Sequence, residues 1–184
     1  NYSMYRVSAG TSDKLINEAP YEYEAAMWLK QNLPRDTFVI SDIWTRRYII
    51  GLTNFIITDK DNPWDRLRFD ETSFKVIPSY GYFVKQLKLI LSKDRSHDIY
   101  YSVKNLTKSK NIIVVISGRT EAWVNKKDLS FENDMHHGVS KKFLLKFMDK
   151  YYFTLLYSID NKIYVFGVNP EPGKPFTIKK GESK

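Results

Sequence analysis

The chain has 184 residues, 42% of them hydrophobic and 15% aromatic, with a net charge of +8. That is enough apolar material for one buried core and excludes a disordered chain, while the absence of cysteine excludes a disulfide scaffold, a thiol nucleophile and a thiolate zinc site. The basic excess, 29 Lys and Arg against 21 Asp and Glu, is dispersed apart from a lysine-rich end, so the dense basic patch of a nucleic-acid binder is missing and no nucleic-acid partner is expected.

Residues 1–19 read as a polar leading segment, 20–169 as a single α/β domain and 170–184 as a basic, flexible tail rich in Pro, Gly and Lys. No apolar run approaches the ~20 residues of a membrane span. Because the chain begins at Asn1 rather than Met, a fragment or processed product is expected, with any anchor lying elsewhere.

Pro20 opens the first predicted helix. Tyr21, Ala25, Trp28 and Leu29 share one face, and Asn32-Leu33-Pro34 ends it. Glu22 and Glu24 suit the positive N-terminal end of that helix and Lys30 the other. Residues 37–41 of "TFVISD" read as a short buried strand. "WTRRYIIGLTN" has helical spacing at Trp44, Tyr48 and Leu52, and "FIIT" is a second strand. Strand, helix, strand is the seed of a parallel sheet.

"DKDNPWDRLRFDE" is a polar, turn-rich loop. Its alternating acids suggest a cation loop, but Trp64 and Asp70 stand where an EF-hand needs Gly and Glu. A helix follows from Ser79 to Ser92, with Tyr80, Phe83, Val84, Leu87, Ile90 and Leu91 as its apolar stripe. Ile99, Val103 and Leu106 mark a further helix, and "NIIVVISGR" is the strongest strand. Its unbroken β-branched run predicts cover on both faces. Residues 118–138 read as a long irregular stretch of the kind that often carries binding loops. Ser140 is an N-cap for the helix "KKFLLKFMDKY", and "YFTLLYSIDNKIYVFGV" is a hairpin turning at Asp160-Asn161. This order predicts a three-layer α/β domain: a mostly parallel sheet with a C-terminal antiparallel hairpin at one edge.

Ligands of open α/β sheets bind beyond the carboxyl ends of the strands. Asp42 and Trp44 follow the first strand, and Arg119 and Trp123 follow the strongest one. On a shared rim, an acid, an arginine and two indoles could hold a sugar or another polar ligand. The competing reading makes Asp42 a helix cap, Arg119 its ion partner and the two Trp half-buried scaffold. No metal site and no cofactor are expected. His136 and His137 lack the HExxH spacing, and GxGxxG, Walker A and GxSxG signatures are absent. A glycosidase-type pair of carboxylates stays open, because their separation depends on the fold. The triplets Asn1-Tyr2-Ser3 and Asn105-Leu106-Thr107 permit N-glycosylation outside the cytoplasm.

Two stretches together, "YEYEAAMWLKQNLPRDTFVISDIWTRRYIIGLTN" and "KKFLLKFMDKYYFTLLYSIDNKIYVFGVN", cover about a third of the chain. They resemble the soluble, extracytoplasmic C-terminal domains of archaeal and bacterial multi-pass membrane glycosyltransferase-like proteins. That group includes relatives of oligosaccharyltransferases and of dolichyl-phosphate-mannose-dependent enzymes. The resemblance is carried by Glu24-Ala25-Ala26-Met27-Trp28-Leu29, by Val39 to Asp42, and by Leu155-Leu156-Tyr157 through Val165-Phe166. It implies a domain on the extracytoplasmic face of the cell membrane, held there by a membrane part outside this chain. That part would carry the catalytic acid and bind the lipid-linked sugar. No catalytic residue carries over, and Trp64-Asp65 alone does not make a WWD acceptor motif.

The expected function is accessory recognition of a glycan or acceptor protein, without catalysis by this chain alone. One alternative is a stand-alone extracytoplasmic binding or cell-surface module. A third is a hydrolase-like enzyme using Asp42 and another acid.

Overall fold

The computed structural model describes residues 20–34, 37–42, 45, 49, 78–125 and 137–178, with backbone only over 78–84. Helix α1 spans Pro20–Asn32. Its inward stripe is Glu22, Ala25, Ala26 and Leu29, continued by Leu33. Tyr21 and Trp28 flank this stripe, half-buried. The buried face is therefore rotated by about one residue from the expected one, and it places a carboxylate at its N-terminal end.

Strand β1 is Phe38–Ile40, buried throughout. Thr45 and Ile49 are helical and buried, one turn apart, as a helix after β1 requires. The rest of that helix, the strand expected at 55–58 and the acidic loop at 59–71 lie outside the described residues. Helix α2 spans Pro78–Leu91 and α3 spans Ser96–Leu106. In α2, Leu87, Ile90 and Leu91 are buried, and in α3 Ile99, Tyr100 and Val103 are buried. The described side chains follow the spacing expected of both helices, while those of Tyr80, Phe83 and Val84 lie outside the description.

Strand β2 is Ile112–Ser117, buried at all six positions. Helix α4, Gly118–Val124, and the short helix α5, Lys141–Leu145, come next, α5 stopping short of the run to Tyr151 expected of it and giving way to turns. Strands β3, Phe153–Ile159, and β4, Ile163–Val168, close the sheet. Their turn holds Asp160 at φ 38°, the left-handed region that Asp tolerates better than most residues.

The sheet order is β1-β2-β4-β3. β1 and β2 are parallel, with Phe38 opposite Ile112. β2–β4 and β4–β3 are antiparallel. Among the described residues the sheet is therefore mixed, with antiparallel pairs in the majority. The expectation of a mostly parallel sheet is corrected accordingly. The hairpin does lie at one edge, and β4 pairs directly with β2. Edge strand β3 carries a register shift between Leu155 and Tyr157. Such a bulge bends an edge and blunts further pairing.

Strand alternation gives the sheet two distinct faces. On one, α1 packs over β3 and β4, and Trp28 stacks on Tyr157 at 4.8 Å and 10°. Tyr157 also donates a 2.7 Å hydrogen bond to Glu24. Burial, with that bond second, pushes the phenol up to about 12. Gly167 lies on this face too, and a Cβ there would meet the Phe176 ring at 2.4 Å. Phe176 itself is buried, so the chain after Pro170 is packed onto the sheet at least as far as this ring. Gly167→Ala is expected to cost about 1–3 kcal/mol through overpacking, read as a lowered thermal midpoint.

On the other face, Phe147 stacks on Phe166 at 5.9 Å and meets Phe153 at 5.7 Å. Lys146, beside it, donates to the carbonyl of Leu91 at the end of α2. Its ammonium also lies 4.1 Å from the Phe143 ring centre. Burial in this apolar seat lowers its pKa to about 8, with Asp94 and Glu121 opposing. The unfolded chain keeps that proton up to about 10.5, so it binds more protons than the folded chain between these values. Stability is expected to rise from about pH 8 towards pH 10. Urea midpoints across that range, flat in Lys146→Met, would check it. Tyr157 opposes only above about pH 10, where its unfolded form begins to ionise.

Candidate functional site

Because β1 and β2 run parallel, their carboxyl ends open on the same edge of the sheet. Asp42 leaves β1 there with no exposed surface. Its Oδ1 accepts the Thr45 N–H at 2.9 Å, and its Oδ2 accepts the Thr120 hydroxyl at 2.7 Å. Ser117 and Thr120 form a reciprocal cap at the start of α4. The Ser117 N–H donates to Thr120 Oγ1 at 3.0 Å, and the Thr120 N–H donates to Ser117 Oγ at 3.3 Å. Thr45 Oγ1 lies 3.2 Å from Ser117 Oγ. Asp42, Thr45, Ser117 and Thr120 thus close a ring of hydrogen bonds. Beside it, Ser41 donates to the Val115 carbonyl at 2.8 Å. A buried carboxylate with both oxygens bonded ties the end of β1 to the start of α4. This is the capping role weighed above for Asp42.

Arg119, in the first turn of α4, is also buried. Its Nε lies 2.9 Å from Glu22 Oε1, with the two side chains 6% and 4% exposed. Burial pushes the Glu22 carboxyl above its ordinary value, Arg119 pulls it back, and nearby Asp42 adds to the upward push. Together with this pair, Tyr21, Ser117, Gly118, His137, Lys162 and Ile163 line a cleft of about 10 Å³, room for one water molecule. Gly118 is required there, because a Cβ would sit 2.2 Å from the His137 carbonyl oxygen.

Of the four residues read as a rim, Asp42 and Arg119 do come to the same end of the sheet. Trp123 is half-buried, with the Lys88 ammonium 5.7 Å from its ring centre, and does not line the cleft. Trp44 lies outside the described residues, as does His136. Comparison with protein-family models, with curated proteins and with solved structures finds no match to this chain. Among the described residues, no group of three or more His, Asp and Glu could hold a metal ion.

Glu22 was read only as a complement to the helix dipole, and α4 was read as an irregular stretch. A signal for each was present. Glu22 is spaced with Ala25, Ala26 and Leu29 on the buried stripe. Ser117-x-x-Thr120, followed by Glu121, has the shape of a capping box. Glu121 in turn accepts the Ser140 N–H at 2.7 Å and its hydroxyl at 2.6 Å, fixing the start of α5.

Proposed function

We propose that this chain is a soluble, extracytoplasmic domain of a membrane-anchored glycosyltransferase-like protein, with an accessory role in recognising a glycan or acceptor. The observation that carries the accessory role is the state of Asp42. The acid at the carboxyl ends of the parallel strands is buried and bonded through both oxygens, and it does not line the small cleft at this end of the sheet. Its chemistry is committed to the fold, so the catalytic acid belongs to another part of the protein. The stretches that carry the family resemblance also pack on one another, Trp28 on Tyr157 and Glu24 to its hydroxyl. They behave as one structural unit, which supports reading them together. A three-layer packing is supported by β2, buried at all six positions, and by α1 and Phe147 lying on opposite faces of the β3–β4 hairpin.

Among the described residues no helix is long and apolar enough to cross a membrane; the proposal puts the anchor outside them. Reading the native gene around this segment tests the proposal. Several predicted spans of ~20 apolar residues upstream would support it; a gene with one span or none would remove it. Asp42→Asn supplies a second check. Placing an amide against two donors is expected to cost about 1.5–3 kcal/mol of stability. Any sugar-directed turnover by the isolated chain that vanished in a still-folded Asp42→Asn variant would instead favour the hydrolase reading.

A further inference from the structure

Six aromatic residues gather where the start of α3 meets the entrance to β3. His97 lies 4.7 Å from Tyr101 and edge-on to Tyr152 at 5.9 Å. Tyr100 meets Tyr101 at 5.1 Å and Tyr152 at 5.2 Å, and Tyr151 meets Tyr152 at 5.1 Å. Phe153 backs Tyr100 from the core. Most of these contacts are tilted or edge-to-face, arrangements that lock each ring against its neighbour.

The cluster is anchored from beneath. The Tyr100 hydroxyl donates to the Asn169 carbonyl at 3.0 Å. The Tyr151 carbonyl accepts the Gly173 N–H at 2.7 Å. Gly173, at φ +80°, lets the backbone pass so close that a Cβ would touch the Tyr151 ring at 3.0 Å. Above this base the outer rings are open: Tyr151 is 56% exposed and Tyr101 44%, and the His97 side chain is 60% exposed.

An apolar surface of this kind needs a reason to face water. The ring faces carry partial negative charge, and the C–H groups of a pyranose carry partial positive charge. The hydroxyl groups around such a sugar need donors and acceptors at the rim. The rim has both. Asp98 Oδ1 lies 3.1 Å from His97 Nδ1, and that bond holds the carboxyl below its ordinary value, as an ionised acceptor. Lys93 and Arg95 act on the same carboxylate. The charges of Glu171 and Asp149 act on the Tyr100 and Tyr152 phenols, helping to raise both above their ordinary value after burial. With both signs interleaved, the rim has no single-sign field to draw a phosphate, a nucleic acid or an anionic lipid surface.

We propose that the His97, Tyr101, Tyr151 and Tyr152 surface, with Asp98 at its rim, is a stacking platform for a neutral saccharide. This rests on the accessory-recognition reading above and gives it a site, away from the buried charges at the end of β2. The rings are already held in place, so a ligand has little side-chain ordering to oppose it.

The test titrates the full 184-residue chain with three neutral probes: mannotriose, cellotriose and N,N′,N″-triacetylchitotriose. It follows the tyrosine ring resonances by NMR. At least one probe is expected to shift the Tyr101 and Tyr151 rings, with a Kd of about 1 mM or tighter. Tyr101→Ala and Tyr151→Ala should each weaken that binding about tenfold, while the Phe variants, which keep the ring face, retain it. Circular dichroism separates lost binding from lost fold. No shift with any probe up to about 10 mM, or equal binding by the alanine variants, overturns the platform. Concentration-dependent dimerisation abolished by Tyr151→Ala would assign the surface to a second copy and overturn it too. Membrane spans in the gene would leave the accessory reading standing in either case, so the two ideas fail separately.

Discussion

Replacing Glu22 with alanine is expected to cost about 3–5 kcal/mol, because it takes from buried Arg119 the carboxylate that lies 2.9 Å from its Nε. Both side chains are under 7% exposed at a 2.9 Å contact, so the screening that makes surface pairs weak does not apply. With a urea dependence of about 2 kcal/mol/M, the unfolding midpoint should fall by roughly 2 M. The comparison that isolates the cause is the double substitution Glu22→Leu with Arg119→Met. It removes both charges and keeps apolar volume, and should recover most of the loss. If Glu22→Ala alone costs less than about 1 kcal/mol, water reaches the pair and the account of this end of the sheet is wrong.

Phe147→Ala is expected to cost a similar amount, about 3–5 kcal/mol, for a different reason. Phe147 is fully buried and touches Phe143, Phe153 and Phe166 at ring separations of 6.0, 5.7 and 5.9 Å. Truncation removes apolar area and leaves a cavity whose aromatic walls, fixed on β3, β4 and α5, cannot close. Phe147→Leu keeps most of the volume and should lose about 1.5 kcal/mol or less. Denaturant midpoints of the two variants decide it. Equal losses would mean that this seam collapses freely around whatever side chain is present. The loss in Phe147→Ala should also lower the protection of Lys146, whose amine sits 5.5 Å from the same ring, so the pH rise of stability should flatten in this variant.

Much of the fold follows from local pattern. The spacing of Leu87, Ile90 and Leu91, and of Ile99 and Val103, is the 3.6-residue period of a half-buried helix, and those helices form where the period runs. The β-branched run at Ile112 to Ile116 demands cover on both faces and receives it. Ser140 caps α5 by accepting the Phe143 N–H, and Asp160 turns the hairpin, because those side chains satisfy or tolerate local backbone geometry. These features depend on neighbours a few residues away, so the sequence by itself determined them. Which strand lies beside β2, and whether an acid is solvated or buried, depends on the sum of all packing. β4 rather than another parallel strand takes the place beside β2, and the sheet becomes mixed. Asp42 meets Thr120, and Glu22 meets Arg119, only when β1, α1 and α4 converge on one end of the sheet. The aromatic surface at His97, Tyr101, Tyr151 and Tyr152 likewise joins α3 to the start of β3. Periodicity carries no information about partners so far apart in the chain, because burial energy is indifferent to sequence distance once the loops are closed. Tertiary structure alone decided them.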